Sequence, residues 1–358
     1  MEPDQALIHE IRQMLLHGQE TDIASISNSL PFPYFWIPGE LRMLLSRVIF
    51  RKHVRCLKKN GKIHAPANDT LDQKALQLAR FDPGNLWQWP NDHSCAFVLS
   101  HDVDTAGQES GIREIMQVAR ERNIRSTFSF VLDSIPHYHD LLLEMLADGF
   151  EVALHDVVHD NRICSLTEEQ IVKRLLPAQE AIERYGIKGF RSPSWYVSSS
   201  LWSALERLGF DYDMSALDSW PFFQRGMEHG VSTFFPFMVG ELVVLPSTIP
   251  FEMPWHILGM AKKDVRWFWT EKIQRLAHAG GLILVDAHPD RWLCGKRSAA
   301  DHLREVMDYI LQTHNPVVMQ ASAVARYTRQ MNDEGAMLLV PGACPLRIPR
   351  RNVKGTIH

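Results

Sequence analysis

The stretch Phe150-Glu-Val-Ala-Leu-His-Asp-Val-Val-His159 runs a short apolar segment into two histidines four residues apart. Phe150 to Leu154 has the length and apolar content of a buried strand. The i, i+4 spacing of His155 and His159 predicts one face of a helical turn, where neighbouring imidazoles can share a ligand. The same arrangement, an apolar run ending in polar groups, recurs on both sides. Upstream, Ala96-Phe-Val-Leu-Ser100 leads into His101-Asp-Val-Asp104. Downstream, Lys188-Gly-Phe190 leads into Arg191-Ser-Pro-Ser-Trp195, and Gly281-Leu-Ile-Leu-Val285 into Asp286-Ala-His288.

Helical patterns separate these runs: Gly107 to Arg122, Asp140 to Asp148, a long one to Tyr185 opened by a capping box over Ser165 to Glu168, and Ser199 to Leu208. Ser126 to Leu132 and Leu242 to Leu245 add strands. Later come helices over Lys262 to His278 and Ala299 to Thr313, then a last strand over Pro316 to Met319. Strand–helix alternation predicts an α/β domain with a mostly parallel sheet, and its size over residues 91–331 suits a barrel. The polar groups fall at the C-terminal strand ends, where barrels carry their active sites.

Residues 1–90 form a separate, mainly helical extension. Within it, segment 41–59 carries Arg42, Arg47, Arg51, Lys52, Arg55, Lys58 and Lys59 with no acid. It reads either as a helix packed on the main domain with its basic face in water, or as a basic amphipathic helix on an anionic membrane. Residues 332–358 read as an irregular basic tail.

A net charge of -4 argues against nucleic-acid binding. Five scattered cysteines without a C-x-x-C pair predict neither a disulfide framework nor a structural zinc site. The N-terminus lacks a signal-peptide pattern, and no apolar run reaches membrane-spanning length. A cytoplasmic protein is expected, with a peripheral contact at the inner membrane face through 41–59 as one reading.

Two imidazoles and a carboxylate make a facial site for a divalent metal. Asp102 and Asp104, at i and i+2, can enter one cavity, one binding metal while the other takes a proton from water. Arg191 can hold a carboxylate ionised, and His288 is placed as a general acid. Trp195 or Tyr196 can wall a sugar ring.

In this order, Ser100–Thr105, His155–His159, Arg191–Trp195 and Leu284–His288 resemble the motifs of the NodB-homology polysaccharide deacetylases, carbohydrate esterase family 4, in an H-D-V-D variant. The resemblance covers roughly residues 95 to 325. It implies a distorted (β/α) barrel that removes an acetyl group from an amino sugar or polysaccharide precursor with metal-bound water. By the same resemblance Asp104, His155 and His159 bind the metal, Zn or else Co, Ni or Mn. Asp102 is the base, Arg191 orients it, and His288 is the acid. Asp156 stands where the family has Ser or Thr. The fourth motif maps onto Asp213-Met-Ser215 or Asp218-Ser-Trp220, which adds Trp220 to the substrate-contacting aromatics. Expected substrates are carbohydrates, including lipid- or nucleotide-linked amino sugars. A formamide or cyclic-ureide hydrolase and a non-catalytic sugar-binding scaffold are the alternatives.

Overall fold

The computed structural model describes residues 89–218, 234–256, 265–295 and 297–333, with isolated positions outside these spans. Their core is a ten-stranded sheet. In chain order it comprises β1 (Ala96–Val103), β2 (Thr127–Phe130), β3 (Glu151–Leu154), β4 (Gly189–Phe190), β5 (Tyr212–Asp213), β6 (Phe237–Val239), β7 (Leu242–Val244), β8 (Ile249–Pro250), β9 (Leu282–Ala287) and β10 (Val317–Val318). The strand order is β6-β7-β5-β4-β3-β2-β1-β9-β8, with β10 added beside β1. Every pairing is parallel except β6 with β7. The curled sheet with its helices is a distorted (β/α) barrel.

The helices are α1 (Glu109–Arg120), α2 (His139–Ala147), α3 (Glu168–Leu175), α4 (Gln179–Tyr185), α5 (Ser199–Arg207), α6 (Met253–His256), α7 (Val265–Ala279), α8 (Arg297–His314) and α9 (Ala321–Asp333). The long helix expected up to Tyr185 is two helices. Pro177 lies in a 3-10 turn, Leu176–Ala178, between α3 and α4, because a proline has no amide to continue the ladder. The capping box at its start sits two residues later than expected: the Thr167 hydroxyl accepts from the Gln170 amide, and the Gln170 side chain accepts from the Thr167 amide. Helix α9 was not anticipated. No helix among the described residues is long and apolar enough to cross a membrane. Of the C-terminal segment, Met337–Leu338 and Leu346–Arg347 pair as two short antiparallel strands.

Alternation along the strands sorts the core into two clusters. Phe97, Leu99, Phe128, Phe130, Val152, Leu154, Ile283 and Val285 pack with the helices. Ala96, Val98, Ala153, Tyr212, Met214, Val243, Leu282 and Leu284 form a second, smaller core with Trp89 and α9. Continuing the period of two on this second face leads to Ser100, Asp102 and Asp104 after Val98. It leads likewise to His155 after Ala153, and to Asp286 and His288 after Leu284. Strand register therefore delivers these six polar groups to the same side.

That side leaves little room. A Cβ on Gly189 would stand 1.9 Å from the ring of Tyr212 on the neighbouring strand. Gly189→Ala is expected to displace the ring and destabilise the domain by about 1–3 kcal/mol, the usual range for overpacking, seen as a lower denaturant midpoint with an unchanged slope.

Candidate active site

His155 follows β3 directly. Its amide donates to Phe130 O at 2.8 Å, so the strand ladder fixes its backbone. Its Nδ1 lies 2.9 Å from Arg191 O. A carbonyl only accepts, so Nδ1 carries a proton, and in the neutral ring Nε2 presents a lone pair. That Nε2 is 3.4 Å from Asp104 Oδ1, and His159 Nε2 is 3.5 Å from the same oxygen.

The expected helical turn is absent. Residues 155–161 are irregular, and Asp156 takes a left-handed φ of 64°. The histidines converge because the chain loops between them, bringing their ring centroids 5.1 Å apart. Asp156 itself turns away from the site, and its buried carboxylate pairs with Arg174 at 2.8 Å.

Asp104, His155 and His159 offer ligand atoms within 4.8 Å of one another. Asp104 Oδ1 and His155 Nε2 are buried and make no hydrogen bond. Two imidazole nitrogens and one carboxylate oxygen, two of them buried and unsatisfied, fit a divalent cation. Burial opposes ionisation of Asp104, but His159 and His155 outweigh it and hold the carboxyl well below the usual range. Burial keeps His159 largely neutral, at about 4, the form that ligates a metal.

The second cluster lies beside the first. Asp102 Oδ2 is 3.9 Å from His155 Nε2, and Asp102 Oδ1 is 3.4 Å from Arg191 Nε. Arg191 is closer still to Asp286, with Nη1 2.7 Å from Oδ2, and its Nη2 donates to Ser100 Oγ at 2.8 Å. The resemblance paired Arg191 with Asp102 and gave Asp286 no role; the guanidinium lies against both. Burial raises the Asp102 carboxyl to about 6, against the lowering pull of Arg191. That value suits a group that accepts a proton near neutrality.

His288, one residue past β9, has its amide 2.7 Å from Glu252 Oε1 and its Nδ1 3.3 Å from Glu252 Oε2. Burial alone would lower its pKa; Glu252 first, then Asp104 and Asp286, carry it well above the ordinary imidazole value. Glu252 escaped the sequence reading because it follows β8, a two-residue strand containing Pro250 that shows no periodicity. The available signal was a lone carboxylate in an otherwise apolar run, Ile249-Pro-Phe-Glu-Met253.

Trp195 is at the site: its Nε1 donates to Asp286 Oδ2 at 3.1 Å, and its ring stands edge-on to His288 with centroids 6.1 Å apart. Ser194 and Trp195 hold consecutive left-handed φ values of 59° and 55°, a conformation costing roughly 1–2 kcal/mol per non-glycine residue. Tyr196 is 5 % exposed, which leaves its ring no surface for a substrate wall. Trp220 lies outside the described residues. Neither fourth-motif candidate joins the cluster. Asp213 accepts from Ser215 and from Trp202 Nε1, and Asp218 pairs with Lys272 at 2.7 Å. His101, inside the first motif, is structural. Its Nδ1 donates to Ala287 O, its Nε2 accepts from Ser126 Oγ, and burial lowers its pKa to about 3.

A cavity of about 300 Å³ opens beside the histidines. Its lining includes Asp104, His159, Thr105, Val131, Asp133 and Asp290.

The barrel thus carries, side by side, a candidate metal-ligand cluster and a candidate acid–base cluster. Residues 97–212 match the family model described as polysaccharide deacetylase. The matched span contains both aspartates, both histidines and Arg191. Among solved structures, a putative polysaccharide deacetylase from Mycobacterium smegmatis is similar at 19 % identity, over 70 % of this chain and 95 % of that one, with a TM-score of 0.59. A probable polysaccharide deacetylase from Pseudomonas aeruginosa PAO1 is similar at 15 % identity, over 68 % and 93 %, with a TM-score of 0.56. A PuuE allantoinase is similar at 14 % identity, over 68 % and 92 %, also at 0.56. No curated protein matches the chain.

Replacing Glu252 by Gln removes the main group that keeps His288 protonated. The alkaline limb of log kcat/KM for a turned-over substrate is then expected to move to lower pH by roughly 1–3 units, the effect of a close opposite charge. A limb that stays in place would separate His288 from proton donation.

Proposed function

We propose that this protein is a metal-dependent hydrolase that removes an acetyl group from an amino sugar. The observation that carries the reading is the adjacency of two clusters with different chemistry. One presents two imidazole nitrogens and a carboxylate around a common point. The other presents an arginine-held carboxylate and a glutamate-held histidine.

Asp104, His155 and His159 would hold the metal, with zinc favoured by the nitrogen-rich donor set and cobalt, nickel or manganese as alternatives. A divalent cation there supplies Lewis acidity toward an acyl oxygen and toward water. The chain's own groups supply the rest. Asp102, ionised at neutral pH and kept in place by Arg191, takes the proton of the attacking water. His288, charged through Glu252, gives a proton to the departing amine or alkoxide. Trp195 covers the acid and offers its face to a sugar ring. In the neighbouring cavity, Asp133 and Asp290 add two acceptors beside Asp104, which suits a hydroxyl-bearing substrate and opposes an anionic one.

The first test is metal content by mass spectrometry. The parent is expected to carry near-stoichiometric metal, and His155→Ala and Asp104→Ala to lose it. A parent that stays metal-free after incubation with zinc, cobalt, nickel and manganese would turn the reading toward a sugar-binding scaffold. A panel of N-acetylated sugars, a formamide and allantoin then fixes the substrate class. The fold similarity to an allantoinase is the reason for including the ureide; turnover of allantoin alone would replace the deacetylase reading.

We also propose a cytoplasmic location with peripheral contact at an anionic membrane face. Leu41, Leu44, Leu45 and Val48 are helical, share one helix face by their spacing, and are exposed, from 45 % at Leu41 to 67 % at Val48. The acid-free run of seven cations from Arg42 to Lys59 continues from them. Apolar side chains flanked by cations match an interface of acyl chains and anionic headgroups. Phosphatidylserine vesicles are expected to sediment the protein and neutral vesicles to leave it in solution, with binding lost when the seven cations become glutamine. No binding of the parent to either vesicle would sink the proposal.

A further inference from the structure

The two histidines of the candidate metal site are held in different ways. His155 is fixed twice, by the β3 ladder through its amide and by Arg191 O through its ring. His159 lies four residues along an irregular loop, bounded by left-handed Asp156 (φ 64°) and Asn161 (φ 62°). No helix or strand sets its distance from His155.

One side chain from outside the motifs, Arg174, grips that loop. Arg174, in the last turn of α3, makes five hydrogen bonds to it. Nε donates to Asp156 Oδ1 and Nη2 to Asp156 Oδ2, both at 2.8 Å. Nη2 also donates to Val158 O at 3.0 Å and to Asp160 Oδ1 at 2.8 Å, and Nη1 to Asp160 Oδ2 at 3.1 Å. The guanidinium thus touches the residue after the first histidine and the residues on both sides of the second. Asp156 is fully buried and Asp160 partly so. The fork and the two carboxylates have the planar, bidentate match that makes arginine pairs directional. The loop is tied on its other side by Leu132 N to Asp156 O and Asp133 N to Val157 O.

We propose that Arg174 is a positioning residue for the metal site, a peg that sets the reach of His159 toward Asp104. The proposal rests on the metal reading above. It also accounts for Asp156 in place of the family's Ser or Thr: a carboxylate there gives a guanidinium two oxygens to bind. Positioning groups behind metal ligands commonly change affinity by 10–100-fold when removed.

The test is zinc affinity by chelator competition on folded protein, with the visible absorption of the cobalt-loaded form as a reporter of coordination. Arg174→Ala is expected to bind zinc at least about tenfold more weakly, with a cobalt spectrum shifted toward that of His159→Ala. Arg174→Lys keeps the charge without the fork and is expected to fall between parent and Ala. Stability of the metal-free forms is measured in parallel, because a purely structural role would lower it and leave zinc affinity and the cobalt spectrum of the folded protein unchanged. That outcome overturns the peg alone. Should Arg174→Ala fail to fold, Asp160→Asn and Arg174→Lys decide, and parental zinc affinity in both overturns it. A parent that binds no metal overturns the metal reading and the peg together.

Discussion

Two buried carboxylates can share one side of this sheet only because Arg191 lies between them. Asp102 and Asp286 sit on neighbouring strands, each nearly or wholly excluded from water. Two such charges in a low-dielectric interior repel strongly, and without a partner one would stay protonated. The guanidinium offsets both, is itself fully buried, and is steadied by Ser100. Its main chain does a second job by accepting the His155 Nδ1 proton, which fixes the tautomer that leaves Nε2 free. One residue therefore couples the protonation of the candidate base to the orientation of a candidate ligand.

The remaining geometry follows from strand register. Asp102, Asp104, His155, Asp286 and His288 come from three separate segments, yet all continue the period of two that places Val98, Ala153 and Leu284 in the smaller core. A one-residue slip in any strand would send its polar group to the helix-covered face, where no partner waits. Large side chains on the helical side and small ones at Ala96, Ala153 and Gly189 make such a slip costly.

Much of this was legible in the residues. Strands β1, β2, β3, β7 and β9 are runs of apolar or β-branched residues long enough to read, and the polar groups at their ends stood out for that reason. Asp286 was left out because a carboxylate on a buried strand can as well face the core, and spacing could not show that Arg191 would reach it. The loop geometry of His155 to His159 was hidden. The i, i+4 spacing fits a helical turn equally well, and only the tertiary pairing of Asp156 with Arg174 selects the loop. Glu252 and α9 were missed for opposite reasons. Glu252 follows a strand too short to have a period, while α9 has helical periodicity in a region that read as a domain's end. Tyr196 was misjudged because a sequence cannot tell an aromatic beside a site from one beneath it.

The placement of β1 bears on how the chain reaches this state. His101, in its middle, hydrogen-bonds to Ser126 on one side, 25 residues along the chain, and to Ala287 on the other, 186 residues along. The first neighbour is available soon after β1 is synthesised; the second comes only after most of the domain. Until then one edge of the strand that carries both aspartates stays open. Contacts of such long sequence separation slow folding and expose unpaired backbone to other chains. With α9 completing the small core from residue 321 onward, the candidate site becomes rigid only as a late product of folding, and a nascent chain halted before β9 would hold its aspartates without the arrangement that makes them useful.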